Sequence, residues 1–356
     1  MRACARPHRL CTASLLEPLA CVSSCAPLCV PVRVCVRARA GASGASSCAP
    51  PSSAPQRPLR LALCQMHGAS ADVVGSLARL QRVLDAVAPL GEDGAPAGAP
   101  LADLVSTPEL FLNGYHIGRT LLRATAVRMP RGEALREAVS SGAPTSSHTH
   151  PILALACMAA RHSVAVHTSF AEAGEGDDAP LYISTVLFDT DGRLVLHYRK
   201  AHLWGAAYEK AIFTPGPGAL PLASDVVPPR HHFAPVTLRR FPHVPLTCII
   251  CFDLEFPEVV RSAKLQGASL VLTCLASGDR QGFSSRAILP TRAAESHVAI
   301  AFCNYPSCAP PPCALDTAAP EELAVQYSGG TTLAAPDGTL IASLPVYVCA
   351  PLFRRT

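Results

Sequence analysis

LTCIICFDLEFPE, residues 246–258, decides how the rest of this chain is read. An apolar, β-type run from Val244 to Ile250 stops at Cys251. Pro257 then opens a helical pattern over Glu258 to Gly267, with Val259, Val260 and Ala263 on one face. Proline suits a first helical turn, where its missing N–H would have no intrahelical acceptor. A second apolar run, Ser269 to Leu275, follows at once. Strand, sharp turn, helix and strand together form a frame that lifts a nucleophile out of a sheet edge. The same frame turns backbone N–H groups toward the atom under attack. A thiol at that turn is a candidate nucleophile, although an isolated cysteine is more often a small buried hydrophobe.

At 356 residues the chain has room for one large or two ordinary domains. It is 49% hydrophobic and 16% charged, enough for a sizeable core, and its 34 prolines should gather in tails and loops. Residues 1–57 carry seven Arg, no Lys and one acid, Glu17, a balance of +6. The net charge is +4, so residues 58–356 sum to −2. The basic charge belongs to the tail and gives no argument for nucleic acid. That tail is rich in Ala, Cys, Pro and Ser and lacks a clear helical or strand period. It reads as a transit-peptide-like segment, a disordered extension, or sequence upstream of the true start. Residues 58–356 are then the folded domain. Seven of the 16 cysteines lie in the tail, and the other nine are scattered, often inside apolar runs. A disulfide scaffold would be short and cysteine-dense throughout, so the expectation is a reduced, intracellular domain, cytoplasmic or mitochondrial. No uninterrupted apolar stretch of 18 residues occurs, and no membrane span is expected.

Along the chain, LRLALCQM (59–66) alternates like a strand, and residues 72–88 carry Val73, Leu77, Leu80, Leu84 and Val87 at helical spacing. GEDGAPAGAP (91–100) is a loop, and LADLVST (101–107) a buried strand running into Pro108-Glu109. Residues 119–150 show no decisive pattern; 151–162 read as a helix and 163–170 as a strand. Strands at 181–188 and 193–200 flank an Asp-Gly turn and form a hairpin. Residues 201–216 are irregular to helical, 236–241 and 244–250 are strands, and 298–304 is another after a short helical stretch. A Pro-rich insertion at 305–320 precedes a final hairpin at 331–344. Alternating helices and strands with interposed hairpins give an α/β class with at least one mixed sheet.

Thiol catalysis needs a base, donors for the developing oxyanion, and groups that orient them. His116, His202 and His297 leave a Cys/His hydrolase open. Glu109 ends an apolar strand, where a carboxylate facing a cleft gains basicity from burial; facing water, it would be an ordinary strand-end acid. Lys200 closes Tyr198-Arg199-Lys200 as either a buried ammonium for an oxyanion or a strand-edge lysine. Glu209 lies nine residues on, as a site carboxylate or a surface one.

Four blocks, TPELFLNGY (107–115), YRKAHLWGAAYEKAIFTPG (198–216), CIICFDLEFPE (248–258) and SGGTTLAAPDG (328–338), together resemble the nitrilase superfamily of carbon–nitrogen hydrolases. The resemblance spans roughly residues 59–345. It implies a four-layer α-β-β-α sandwich and a Glu-Lys-Cys triad: Glu109 as general base, Lys200 as oxyanion stabiliser, Cys251 as nucleophile. It further implies that Glu209 positions substrate and water, and that the Phe252 backbone N–H joins the oxyanion hole. No metal or organic cofactor is implied; the implied partners are a small-molecule amide and further copies of the chain, as a homodimer or larger homo-oligomer. Nitrile-cleaving members tend to carry Trp-Glu after the nucleophile, whereas this chain has Phe252-Asp253. That is more similar to aliphatic and stereoselective amidases, with N-carbamoyl hydrolysis next and nitrile hydrolysis behind. Two features depart from the family. The chain ends soon after the 331–344 hairpin, where a tail often crosses a subunit interface, and the 305–320 insertion has no family counterpart.

Two other classes compete. Cys248-x₂-Cys251 could be a thiol–disulfide pair, but Cys248 lies inside the apolar strand and redox pairs favour a helix N-terminus. Cys303, Cys308 and Cys313, or Cys21, Cys25 and Cys29, could be read as zinc ligands, but both sets lack paired CxxC spacing or an accompanying His.

Overall fold

The computed structural model describes residues 29–34, 57–141, 148–176, 179–219, 233–278, 282–307 and 327–344. Two mixed sheets carry the fold. In the first, β1 (Cys29–Val34), β2 (Leu59–Cys64), β3 (Leu104–Ser106), β4 (Ala165–Ala173), β5 (Leu181–Phe188), β6 (Leu194–Arg199) and β7 (Gly218–Ala219) stand in that order. β2, β3 and β4 are parallel, and the flanking pairs are antiparallel. In the second, β8 (Val236–Leu238), β9 (Phe241–Ile250), β10 (Leu270–Cys274), β11 (Ala299–Cys303), β12 (Thr332–Ala334) and β13 (Leu340–Ser343) also run in chain order. There β9, β10 and β11 form the parallel centre.

Helices cover the outer faces. α1 (Val73–Val87) starts where the Asp72 carboxylate accepts from Gly75 N at 2.8 Å, and it buries Leu77, Leu80, Val83, Leu84 and Val87. Such a cap contributes about 1 kcal/mol. α4 (Pro151–His162) has Pro in its first turn and ends on Ser163 in the left-handed conformation. Both pack in one buried cluster with Val105, Val166 and Phe188 of the first sheet. α6 (Pro257–Leu265) and α7 (Leu289–Ser296) bury Val260 and Ala293 on the second. Between the sheets, Leu61, Leu104 and Ile183 share a cluster with Leu246, Leu272 and Ala301. Each fully buried aliphatic chain of this kind contributes about 1.5–3 kcal/mol. The four layers are therefore helix, sheet, sheet, helix, the α-β-β-α sandwich expected.

Several local expectations need correction. The undecided 119–150 region holds two short helices, α2 (Gly118–Thr125) and α3 (Gly132–Ser140). The strand expected over 101–107 is only three residues long, and the strand expected over 163–170 runs on to Ala173. The strand boundary placed after Phe241 falls before it, because Phe241 opens β9 and pairs with Leu238 across a tight turn. Residues 205–209 form a π-helical turn leading into α5 (Lys210–Ile212). The 1–57 extension, expected to lack period, contributes β1, which pairs antiparallel with β2. Five body cysteines, 157, 248, 251, 274 and 303, are free thiols as expected, whereas Cys64 is disulfide-bonded, with a partner other than these five. Most of the 305–320 insertion, with Cys308 and Cys313, and the tail's Cys21 and Cys25 lie outside the described residues. Among the described residues no helix is long and apolar enough to cross a membrane.

The β5–β6 turn shows how tightly the outer helices sit. Gly192 has φ +77°, and a Cβ there would stand 2.6 Å from the Ala156 carbonyl oxygen of α4. Gly192→Ala should lower unfolding free energy by about 1–3 kcal/mol from backbone strain alone, read as a shifted urea midpoint at unchanged slope.

Candidate active site

Three strand ends converge on one point, buried except at Cys251, which is partly exposed. Glu109 follows β3, Lys200 follows β6, and Cys251 follows β9. Glu209 reaches the same point from the π-helical turn. Glu109, Lys200 and Glu209 are each fully buried. Lys200 Nζ donates to Glu109 Oε1 at 2.7 Å and to Glu209 Oε1 at 2.8 Å, leaving one N–H for another acceptor. Glu209 Oε1 also accepts from the Tyr115 hydroxyl at 2.5 Å, and its Oε2 from Trp204 N at 2.7 Å. Glu109 is held by its backbone: its N–H donates to Leu275 O and its carbonyl accepts from the Tyr305 hydroxyl. Its Oε2 has no hydrogen-bond partner among the described residues.

Burial raises the Glu109 pKa to about 7; Lys200 opposes that rise and Glu209 adds to it. Burial works against the Lys200 ammonium, but the two carboxylates outweigh it and hold the group charged well above its usual range. The Cys251 thiol is pushed far up by burial and by Glu109, with Lys200 pulling the other way. Each of these three groups thus sets the proton affinity of the other two. At neutral pH the resting site holds a thiol, an ammonium and a carboxylate at the edge of protonation.

The backbone at two of these strand ends is strained. Cys251 has φ +46° and Leu110, just after Glu109, has φ +50°. Left-handed backbone in such residues costs about 1–3 kcal/mol and persists only where surroundings enforce it. Around Cys251 the enforcing group is Asp253, fully buried in the 3-10 turn Cys251–Glu255. Its Oδ2 accepts from the Tyr198 hydroxyl at 2.6 Å and from Ile250 N at 3.0 Å. Its Oδ1 accepts from His202 N at 3.1 Å and meets His202 Nδ1 at 2.7 Å. One carboxylate therefore ties the turn carrying Cys251 to the strand end carrying Lys200. Around Leu110, Ser169 Oγ accepts its N–H, and Asn113 bridges Ala171 N to Thr125 O.

Glu109, Lys200, Glu209 and Cys251, picked out separately in the sequence, thus share one site, and Phe252 stands in the turn directly after the thiol. None of the three candidate histidines is among the largest influences on the Cys251 thiol. His202 is bound to Asp253 and stacked on Phe256, and His297 is the left-handed cap of α7. His116 lies among tyrosine rings. Cys248 is packed within β9, its thiol driven far up by burial. Sequence reasoning missed the parts played by Tyr115, Asp253 and Tyr305. Tyr115 and Asp253 were inside the quoted blocks, and a polar residue two positions past a strained turn is a signal that could have singled out Asp253.

A carbon–nitrogen hydrolase family model matches residues 60–346. The chain belongs to the carbon–nitrogen hydrolase family. It is 27% identical to an (R)-stereoselective amidase from Pseudomonas sp. over 69% of this chain and 70% of the relative. It is 28% identical to a hydrolase from the pqqF 5′ region of Pseudomonas protegens, over 80% of this chain and 78% of the relative. Among solved structures, an amidase from Nesterenkonia sp. AN1, of the nitrilase superfamily, is 25% identical with a TM-score of 0.55. The match covers 83% of this chain and 91% of that one, in a variant showing Michael addition of acrylamide at the active-site cysteine. Another variant, with butyramide bound, matches equally well and is covered to 88%. This carbon–nitrogen hydrolase is accordingly an amidase-like enzyme acting on C–N bonds.

Removing the central cation exposes what it compensates. Lys200→Met should cost about 3–5 kcal/mol of stability at pH 8, where two buried carboxylates lose their partner. The loss should shrink toward pH 5, because Glu109, whose pKa burial already raises to about 7, can then take up a proton and become neutral. Urea titrations at the two pH values check the sign.

Proposed function

We propose that this carbon–nitrogen hydrolase cleaves a small aliphatic amide through a thioester on Cys251, releasing a carboxylic acid and ammonia or an amine. The observation that carries the reading is the buried ammonium of Lys200 held between Glu109 and Glu209, with the Cys251 thiol coupled to all three. Glu109 takes the thiol proton as sulfur attacks the amide carbon. A free thiolate would be too costly in this pocket, so proton transfer accompanies attack. Negative charge then builds on the amide oxygen, where the remaining Lys200 N–H and the Phe252 backbone N–H stabilise it. Donors of that kind are worth about 2.7–4 kcal/mol each in the transition state. Glu109 next gives its proton to the departing amine, which keeps the leaving group neutral. Water held by Glu209 attacks the thioester with Glu109 again as base, and the acid leaves with the thiol restored.

The amide, as opposed to nitrile, reading is supported by Phe252-Asp253 after the thiol and by the amidases this chain is similar to. N-carbamoyl hydrolysis on the same residues is the second reading, and it differs only in what lies beyond the carbonyl.

Cys251→Ala should abolish ammonia release from butyramide, and the wild-type enzyme quenched during turnover should carry the acyl mass on Cys251. Full turnover by the alanine variant would sink the thiol mechanism. Cys248→Ala should leave turnover within about two-fold of wild type, as buried apolar swaps allow; the redox reading requires its loss. Because the base must be ionised and Glu109 titrates at about 7, kcat/KM should rise with pH through that value. Glu109→Gln should remove both the activity and that limb. A panel of butyramide, an N-carbamoyl amino acid and butyronitrile ranks the substrate classes.

A further inference from the structure

A cavity of about 250 Å³ lies between the start of α7 and the β12–β13 hairpin. Its walls are Ser285 and Arg286 on one side and Gly330, Thr332, Leu340, Ser343 and Leu344 on the other. None of these belongs to the catalytic site. The local sequence explains the shape. Pro290 has no N–H to offer the Arg286 carbonyl four residues back. The chain therefore enters α7 through a wider, π-helical turn, Ser284–Ile288, in which the Leu289 N–H reaches the Ser284 carbonyl. Turns of this kind are rare and gather at functional positions. Opposite it, Gly330 has φ +70°, and a Cβ there would stand 3.1 Å from Ser285 Oγ. Glycine at this position lets the segment before β12 close up against the turn and complete the wall.

The chemistry of these walls is one-sided. Arg286 is exposed, and its guanidinium has no hydrogen-bond or ion-pair partner among the described residues. Among those residues no carboxylate lines the cavity. Thr332 gives its hydroxyl proton to the Gly330 carbonyl at 2.6 Å and so accepts from Ser343 Oγ at 3.0 Å. Ser343 is exposed, and its proton can turn from Thr332 to an incoming oxygen. Leu340 and Leu344 add apolar wall. A cation finds no counter-charge here, and a neutral molecule leaves the guanidinium uncompensated. A carboxylate fits the planar fork of the guanidinium with two parallel N–H···O bonds. The leucines add room for an aliphatic tail, which inorganic phosphate lacks. Drug-sized ligands occupy pockets of about 300–1,000 Å³, so this smaller one suits an acid of a few carbons.

We propose that this cavity is a second binding site, for a short-chain aliphatic carboxylate. Arg286 and Ser343 hold its charged end, and Leu340 and Leu344 line its tail. Acids of this class are also what the proposed amide cleavage releases, which makes product a natural occupant. The binding itself stands on the cavity and does not need the amidase reading.

Calorimetric titration of the full chain with butyrate, 1-butanol and inorganic phosphate tests this, in wild type, Arg286→Gln and Ser343→Phe. Wild type should bind butyrate saturably. It should bind 1-butanol, which has the tail without the charge, and phosphate, which has the charge without the tail, about ten-fold or more weakly. Arg286→Gln should lose about ten-fold or more in butyrate affinity with its charge-assisted hydrogen bonds. Ser343→Phe should lose as much by filling the cavity while the charge stays. Both positions are exposed, and urea midpoints matching wild type show that the variants are folded. Butyrate affinity unchanged in either variant, as binding at the catalytic site alone would give, overturns the inference. Absence of saturable butyrate binding overturns it, as does equal affinity for 1-butanol or phosphate. No arm reads turnover, so these outcomes leave the amidase reading in place, and failure to turn over butyramide leaves the binding result standing.

Discussion

The buried ammonium of Lys200 is the constraint on which the rest depends. A charge with no exposed surface is tolerable only with counter-charges in contact, and Lys200 has two, from Glu109 and Glu209. Those carboxylates belong to other elements, so the ion cluster forms only when the first sheet, the loop after β3 and the π-helical turn have all docked. The cluster in turn sets the chemistry. One ammonium facing two acids keeps itself charged and leaves Glu109 titrating at about 7, the range that its proposed role as general base requires. Stability and reactivity draw on the same three charges, and a substitution that relieves one disturbs the other.

Strain at the strand ends is the second device. Cys251 and Leu110 both occupy left-handed backbone, and buried polar side chains fix each of them. Asp253 holds the first, and Ser169 with Asn113 holds the second. Asp253 contacts four donor atoms of three residues, Tyr198 and His202 at the end of β6 and Ile250 of β9. The distance between the thiol turn and the lysine strand end is therefore set by one carboxylate. The layered core makes this rigid. Apolar side chains from both sheets merge in one cluster directly beneath the polar groups, leaving no slack for the strand ends to drift.

Much of this was legible in the residues. The helical spacing of 72–88 and 151–162 gave α1 and α4 within a residue, and the Asp-Gly turn gave the β5–β6 hairpin, since strong periodicity and turn chemistry are local properties. Glu109, Lys200 and Cys251 were each marked by their place at the end of an apolar strand, and Glu209 by the resemblance of its block. What escaped were the short elements. α2 and α3 span eight and nine residues and are held by packing, not propensity, and β3 needs only three residues because both neighbours pair with it along its length. β1 carries no periodic signal, because its partner strand supplies the reason for its extension.

The sequence by itself determined the α/β class, the sharp thiol turn and which polar residues terminate strands, because those depend on neighbours within a few positions. Only the tertiary structure decided that Lys200 sits between Glu109 and Glu209, 91 and 9 residues away along the chain. It alone made Asp253 a clamp between the thiol turn and the end of β6. Proton affinities and hydrogen-bond satisfaction are properties of what surrounds an atom in space, and spacing along the chain carries no record of burial.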